Sequence, residues 1–237
     1  MGFFKRMNKK GVKIINSFNN SGSFNSINSV TINGCSNNQG DNHIKGNGIP
    51  KTISVTPEEF RHINIVGSAD VDFTISDKKS IEITADSNLI DLIVLSYSGD
   101  SLDIGIKRNA NFSTNTNMVV KISNPVLQNL SITGSGDALI AGLDQEVFAA
   151  SVNGSGDIDI SGKAGRVRLE VHGSGDIDAS ALFADEVIAS IFGSGDIEAT
   201  AKVSADTTIM GSGNIRIYGN PSDRKSNCMG SGKIKFK

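Results

Sequence analysis

Carboxylates recur at nearly equal spacing in the second half of the chain. Four aspartates each follow a short Gly-Ser-Gly sequence, namely Asp137, Asp157, Asp176 and Asp196. A second acid stands two positions further on in three repeats, as Asp159, Asp178 and Glu198. Such groups could bind a cation such as Ca²⁺, which takes oxygen ligands, or could act as the acid–base pair of a glycoside hydrolase. They could also accept hydrogen bonds from turn N–H groups.

The regular recurrence of these acids favours the structural interpretation. A catalytic pair should interrupt a repeat, and Ca²⁺ prefers more oxygen ligands than one repeat supplies. The chain also has no Trp to stack on a sugar ring. We therefore predict no catalytic residue and no cofactor, and we retain the four aspartates as candidates for a metal site. A polysaccharide-acting enzyme remains an alternative that a turnover assay would reveal.

The Gly-Ser-Gly sequence occurs six times at intervals of 18 to 20 residues. Its twelve glycines are Gly134, Gly136, Gly154, Gly156, Gly173, Gly175, Gly193, Gly195, Gly211, Gly213, Gly230 and Gly232. Glycine-rich loops that bind nucleotides open a helix, whereas a strand-like pattern follows here. We therefore predict structural corners that need either a positive φ or a close approach without a side chain.

Apolar residues alternate with polar ones on both sides of each turn. In the second repeat, Ala150 and Val152 precede the turn, and Ile158 and Ile160 follow it. Alternate residues of a strand share one face, so each repeat reads as strand, turn and strand with one buried side. About 19 residues suffice for one coil but not for a βαβ unit. The sequence predicts an all-β fold, a right-handed parallel β-helix of about 19–20 residues per coil.

Composition divides the chain into two parts. Residues 1–50 are rich in Asn, Ser and Gly, which is typical of disorder, although the same residues could add coils or an oligomerisation segment. Residues 51–237 are predicted to form the β-helix, with irregular coils over 51–128 and regular repeats over 129–237. Within the irregular part, residues 67–70 read Gly-Ser-Ala-Asp and so copy the turn.

The charge balance excludes some partners. A formal net charge of −2 gives no basic field for nucleic acid. The basic residues within 5–13 are not followed by an apolar segment, so we expect neither a secretory signal nor membrane insertion. The sequence alone thus indicates a cytoplasmic location. Cys35 and Cys228 are predicted to be free thiols.

The terminal coils of a solenoid can pair with those of another chain. Terminal coils carry unpaired N–H and C=O groups, and Lys233, Lys235 and Lys237 discourage pairing at the C-terminal end. We therefore predict a homo-oligomer whose interface is the Asn-rich N-terminal segment.

The repeated Gly-Ser-Gly-Asp turns, together with the segment from Phe60 to Val71, resemble the auto-transporter adhesin head GIN domain family. The resemblance covers about residues 52–237. It implies a pectin-lyase-like β-helix without catalytic residues and a role in cell adhesion, with a surface protein or a carbohydrate as ligand. Members typically carry an export or lipoprotein signal, which this sequence does not show. An intracellular or phage-associated scaffold is therefore the alternative function.

Overall fold

The computed structural model describes residues 43–237 and the backbone of 13–14. The strands are β1 (Lys13–Ile14), β2 (His43–Lys45), β3 (Pro50–Val55), β4 (His62–Gly67), β5 (Asp70–Ile75), β6 (Ser80–Asp86), β7 (Ile93–Ser98), β8 (Ser101–Ile106), β9 (Asn111–Ser113), β10 (Val119–Asn124), β11 (Asn129–Gly134), β12 (Ala138–Gly154), β13 (Ile158–Gly173), β14 (Ile177–Gly193), β15 (Ile197–Gly211), β16 (Asn214–Tyr218), β17 (Asp223–Gly230) and β18 (Lys233–Phe236). A 3₁₀ turn covers Ile90–Leu92. The predicted all-β solenoid of stacked parallel coils is confirmed.

The regular coils are long bent strands, β12 to β15, that each run from one Gly-Ser-Gly turn to the next. Neighbouring coils pair in parallel with equivalent residues level, so Gly154 lies beside Gly173. The register shifts between Ile140 and Leu143 and again between Asp159 and Ser161. The irregular pairing at these bends therefore accommodates the difference in coil length, and the Gly-Ser-Gly turns of neighbouring coils remain aligned.

Small aliphatic side chains fill the interior in columns. The column two positions before each turn is fully buried over five coils, by Ile132, Val152, Val171, Ile191 and Ile209. Burial of one such side chain stabilises the fold by about 1.5–3 kcal/mol. These columns account for a core that contains few aromatic rings.

The first coil is separated from the regular coils in sequence but not in space. Strands β4 and β5 form this coil, and Gly67 at its turn lies level with Gly134 of β11. Between them, β6 pairs antiparallel with β3 and β10, and β7 pairs antiparallel with β8. The structure thus differs from the irregular coils expected over 51–128, because part of this region turns back on itself and occupies the edges of β4 and β5. The domain boundaries themselves stay a prediction.

Polar residues close the C-terminal end. In β17, Arg224, Ser226 and Cys228 stand level with Ala205, Thr207 and Ile209 of the coil before. The Arg224 guanidinium lies over the ring of Phe236, 5.0 Å from its centroid. A charged residue at a core position of an edge strand disfavours the addition of another strand. Cys228 is free and exposed.

Predictions for most of the N-terminal segment, including Cys35, lie outside the described residues. The described parts of that segment are β1, which pairs antiparallel with Ser96 and Tyr97 of β7, and residues 43–50, in which β2 pairs in parallel with β9. Among the described residues, no helix has the length and apolar character needed to cross a membrane.

Candidate functional site

The Gly-Ser-Gly turns stack directly on one another at one corner of the solenoid. The first glycine of each has a φ between 136° and 155°, a conformation that residues with a side chain rarely adopt. The N–H of Ser155 donates to the carbonyl oxygen of Gly134, and that of Ser174 to Gly154, both over 2.9 Å. Each turn is therefore hydrogen-bonded to the turn beneath it.

The second glycine of each turn is required for a different reason. A Cβ added to Gly156 would lie 2.1 Å from the carbonyl oxygen of Gly136, and one added to Gly195 would lie 1.9 Å from that of Gly175. Close approach between coils thus excludes a side chain here without any demand on φ. Ala69 occupies this position in the first coil, which has no earlier Gly-Ser-Gly turn beneath it.

The four predicted aspartates form a hydrogen-bonded ladder along the same corner. Oδ1 of Asp137 accepts the backbone N–H of Asp157 over 2.9 Å, Asp157 accepts that of Asp176 over 2.8 Å, and Asp176 accepts that of Asp196 over 2.7 Å. Each carboxylate therefore binds the backbone of the next coil rather than its own turn.

Two further residues complete the ladder. Asp70 of the first coil accepts the N–H of Asp137 over 3.1 Å. At the other end, Asn214 donates both its backbone N–H and its side-chain amide to Asp196, over 2.8 and 2.9 Å. Asp70 was not among the predicted site residues, although residues 67–70 gave the signal that could have identified it.

Hydrogen bonding explains how the ladder tolerates its charges. Two carboxylates about 5 Å apart in water repel by about 1 kcal/mol, whereas a hydrogen bond to a charged group contributes about 1.5–3 kcal/mol. Among residues 43–237, no group of three or more His, Cys, Asp or Glu side chains is arranged to hold a metal ion.

A second acidic column lies beside the ladder. Asp159, Asp178 and Glu198 stand level with one another, and Glu198 stands level with Arg216. The Arg216 guanidinium bonds to Glu198, and the Tyr218 hydroxyl donates to the same carboxylate over 2.7 Å. The column therefore ends at an ion pair between Glu198 and Arg216. These two residues pair in the register that the spacing of the repeats predicts.

Neighbouring charges and burial alter the acidity of these columns. Burial raises the pKa of Asp159, and the nearby charges of Asp178, Asp157 and Asp137 raise it further. Burial also raises the pKa of Asp70; the N–H of Asp137 opposes this change, and the charges of Asp137 and Asp72 add to it. The carboxylates of the two columns therefore lie close enough to interact, although the exposed Leu139 stands between Asp72 and Asp159.

We call the surface of these two columns the acidic strip. It comprises Asp70, Asp72, Asp137, Asp157, Asp159, Asp176, Asp178, Asp196 and Glu198. Asp72 joins the second column through Leu139, which pairs with Asp72 on one side and with Asp159 on the other.

A cavity opens at the N-terminal end of the acidic strip. Its volume is about 500 Å³, and residues of the first turn and of the 110–118 segment line it, among them Ser68, Asp70, Phe112, Thr114, Asn117 and Met118. The ring nitrogens of His43 contact Asn111 Oδ1 and Ser113 Oγ at 2.9 and 3.0 Å. Strand pairing between β2 and β9 adds to this attachment. One wall of the cavity is therefore tied to the chain preceding the solenoid.

A buried carboxylate anchors the same wall. Asp86 has no exposed surface, and it accepts the N–H groups of Gly48, Asn115 and Thr116 over 2.7, 2.8 and 3.1 Å. The Thr116 hydroxyl donates to it as well. Burial acts to raise the pKa of Asp86, but these hydrogen bonds together lower it below its ordinary value. Sequence reasoning missed this residue, because its partners are 29 to 38 positions away.

The comparisons with solved structures identify adhesin-like relatives. A putative adhesin from Bacteroides fragilis is 26% identical with a TM-score of 0.68, and the match covers 82% of this chain and all of that one. A putative lipid binding protein from Parabacteroides distasonis is 25% identical with a TM-score of 0.58, over 82% of this chain and 99% of that one. A putative adhesin from Parabacteroides merdae, at 21% identity, TM-score 0.57 and the same coverage, shows the fold alone.

The sequence itself matches a family model. No curated protein matches the chain. The family described as "Putative auto-transporter adhesin, head GIN domain" matches residues 59–221, which is more than half of the 237 residues. The match includes the first coil, the ladder and five of the six Gly-Ser-Gly turns. The chain therefore belongs to the family of putative auto-transporter adhesin head GIN domains.

Proposed function

We propose that the chain is a non-catalytic adhesive module whose acidic strip binds a basic region of a protein on a cell surface. The observation that carries this proposal is the alignment of nine carboxylates along one corner of the solenoid. The ladder from Asp70 to Asn214 fixes their spacing. The names of the family and of the Bacteroides fragilis protein are consistent with an adhesive role.

The strip suits a basic partner on physical grounds. Aligned charges of one sign create a field that attracts an oppositely charged surface and raises the rate of encounter. Each acid of the strip is exposed or half-buried, so salt ions reach it, and its attraction is screened beyond about 10 Å at 0.1 M salt. A partner with several Lys or Arg residues would meet many carboxylates at once, and each contact would be weak alone.

A homo-oligomer would strengthen such binding. Several strips on one particle would bind the same surface together, so the overall affinity would exceed that of each strip. The Asn-rich segment that we predict as the interface lies outside the described residues, and the oligomer stays a prediction.

Neutralising the strip should weaken cell binding. The test variant carries Asp72→Asn, Asp159→Asn and Asp178→Asn. We expect it to bind intact bacterial cells about tenfold more weakly than the parent in low salt, because the contacts of the exposed Asp159 and Asp178 and of the half-buried Asp72, of about 0.5 kcal/mol each, are lost. Titration of fluorescently labelled protein onto cells measures this effect, and high salt should reduce the difference between the two proteins.

A matched control keeps the net charge equal to that of the test variant. It carries Asp144→Asn, Asp206→Asn and Asp223→Asn, three exposed acids outside the strip. This control should bind cells like the parent. Equal weakening by the two triple variants would show that net charge alone matters, and equal binding by all three proteins would show that the strip takes no part in adhesion.

A further inference from the structure

We propose that the cavity beside Asp70 binds an uncharged saccharide unit. This site shares Asp70 with the acidic strip, but its ligand differs from the basic protein proposed to bind along the strip. The cavity volume of about 500 Å³ lies within the range of small-molecule sites.

The walls carry hydrogen-bonding groups that the fold leaves unused. The side chains of Ser68, Thr114 and Asn117 are exposed, and within the part of the chain that the structure describes they form no hydrogen bond to another protein group. Asp70 uses Oδ1 for the N–H of Asp137, so Oδ2 remains available as an acceptor. Two hydroxyls, an amide and a carboxylate oxygen therefore converge on one space.

These groups match the chemistry of a sugar. A saccharide presents several hydroxyls that both donate and accept, and hydroxyl, amide and carboxylate groups complement them. Phe112, which is half-buried and also lines the cavity, offers apolar surface to the C–H groups of a ring. The largely polar lining disfavours the acyl chain of a lipid, because unpaired polar groups would be buried against it.

Charge selects among saccharides. The lining contains a carboxylate and no Lys or Arg, and Asp137 and Asp72 stand close enough to raise the pKa of Asp70. An acidic sugar would be repelled, so the lining favours a neutral saccharide over an anionic one.

The cavity is also held in shape before any ligand binds. Asp86 fixes the backbone at Asn115 and Thr116, and His43 contacts Asn111 and Ser113. A site that is already organised loses less entropy when a ligand binds.

Saturation-transfer NMR on the full chain tests the site with defined probes. The methyl glycosides of glucose, galactose, mannose and N-acetylglucosamine are titrated at millimolar concentration, with glucuronic acid as the anionic comparison. We expect at least one neutral glycoside to bind and glucuronic acid not to bind. Preference for glucuronic acid, or the absence of binding by all four neutral probes, would overturn the proposal.

Variants locate the binding. Asp70→Asn keeps an acceptor for the Asp137 N–H but loses the charge, and we expect about tenfold weaker binding, because a hydrogen bond to a charged group contributes at least 1.4 kcal/mol, or about tenfold. Asp157→Asn makes the same change in the ladder outside the cavity and should bind like the parent. Asn117→Ala gives a second test should Asp70→Asn lower the thermal midpoint. Equal affinity in all of these proteins would exclude the cavity as the site.

The outcome is independent of the cell-binding experiment. Loss of glycoside binding in Asn117→Ala, whose side chain lines the cavity but is not part of the acidic strip, with unchanged binding to cells would support the cavity and leave the strip as the adhesive surface. Failure of the three strip substitutions to affect cells would leave the glycoside result unchanged, because none of the three residues lines the cavity.

Discussion

Replacing Gly156 with alanine should lower the free energy of unfolding by about 3 kcal/mol, a large effect for one methyl group. The added Cβ would lie 2.1 Å from the carbonyl oxygen of Gly136 and 3.2 Å from the side chain of Ile132. Because the nearest atom belongs to the backbone, relief requires the two coils to move apart. Urea unfolding of the parent and the variant measures the difference.

Gly105→Ala is the matched control for this substitution. Its Cβ would meet the carbonyl oxygen of Val66 at 3.6 Å, an ordinary contact, and its φ is not positive. We expect a change in unfolding free energy within about 1 kcal/mol. Equal effects of the two substitutions would mean that the turns are not in close contact.

Replacing Asp86 with asparagine should strongly destabilise the protein at neutral pH. An asparagine side chain presents one oxygen and one NH₂ group, so it cannot accept all the hydrogen bonds that Asp86 receives from Gly48, Asn115 and Thr116. Donors left unpaired in a buried position lose the hydrogen bonds they would make to water. The 110–118 segment should lose order first, which amide hydrogen exchange would detect.

The loss of stability caused by Asp86→Asn should be larger at neutral pH than at acid pH. Its folded-state pKa lies below its ordinary value, so the charged carboxylate stabilises the fold above the ordinary aspartate pKa of about 3.9. That stability is lost as the pH falls through the folded-state value. The difference in the free energy of unfolding between the parent and Asp86→Asn, measured with urea, should therefore be smaller at acid pH. Asp77→Asn, at an exposed turn, should have the same free energy of unfolding as the parent. A difference between the parent and Asp86→Asn that became larger in acid would contradict the stabilising role of the charged Asp86 carboxylate.

The repeat region was predictable because every coil repeats the same information. The glycines, the alternating apolar positions and the acids each recur near 19 residues, so strand, turn and stacking direction follow from one another. The hydrogen-bond partner of each ladder carboxylate was harder to predict from the sequence. An aspartate next to a turn suggests a bond to its own turn, but stacking brings the equivalent N–H of the next coil within about 4.8 Å, and that bond forms.

The N-terminal half was less predictable for a physical reason. Alternation in β6, β7 and β10 identifies strands, but it does not distinguish parallel from antiparallel partners, because both directions bury alternate residues. Pairing there depends on residues far apart in sequence. The cavity segment 110–118 has no period at all, and the partners of Asp86 come from two distant segments.

Amide hydrogen exchange of the ladder tests most directly the central claim that stacked turns hold the acidic strip in register. Asp157, Asp176 and Asp196 lie in the turns just before their strands begin, the first two exposed and Asp196 half-buried, yet each N–H bonds to the carboxylate of the coil before. We predict that the exchange rates of these amides lie within about tenfold of those of the buried strand amides. Both sets of hydrogen bonds break only when the stacked coils separate. Exchange at the rate of an unprotected peptide in all three would contradict the ladder and, with it, the fixed spacing on which the proposed adhesive surface depends.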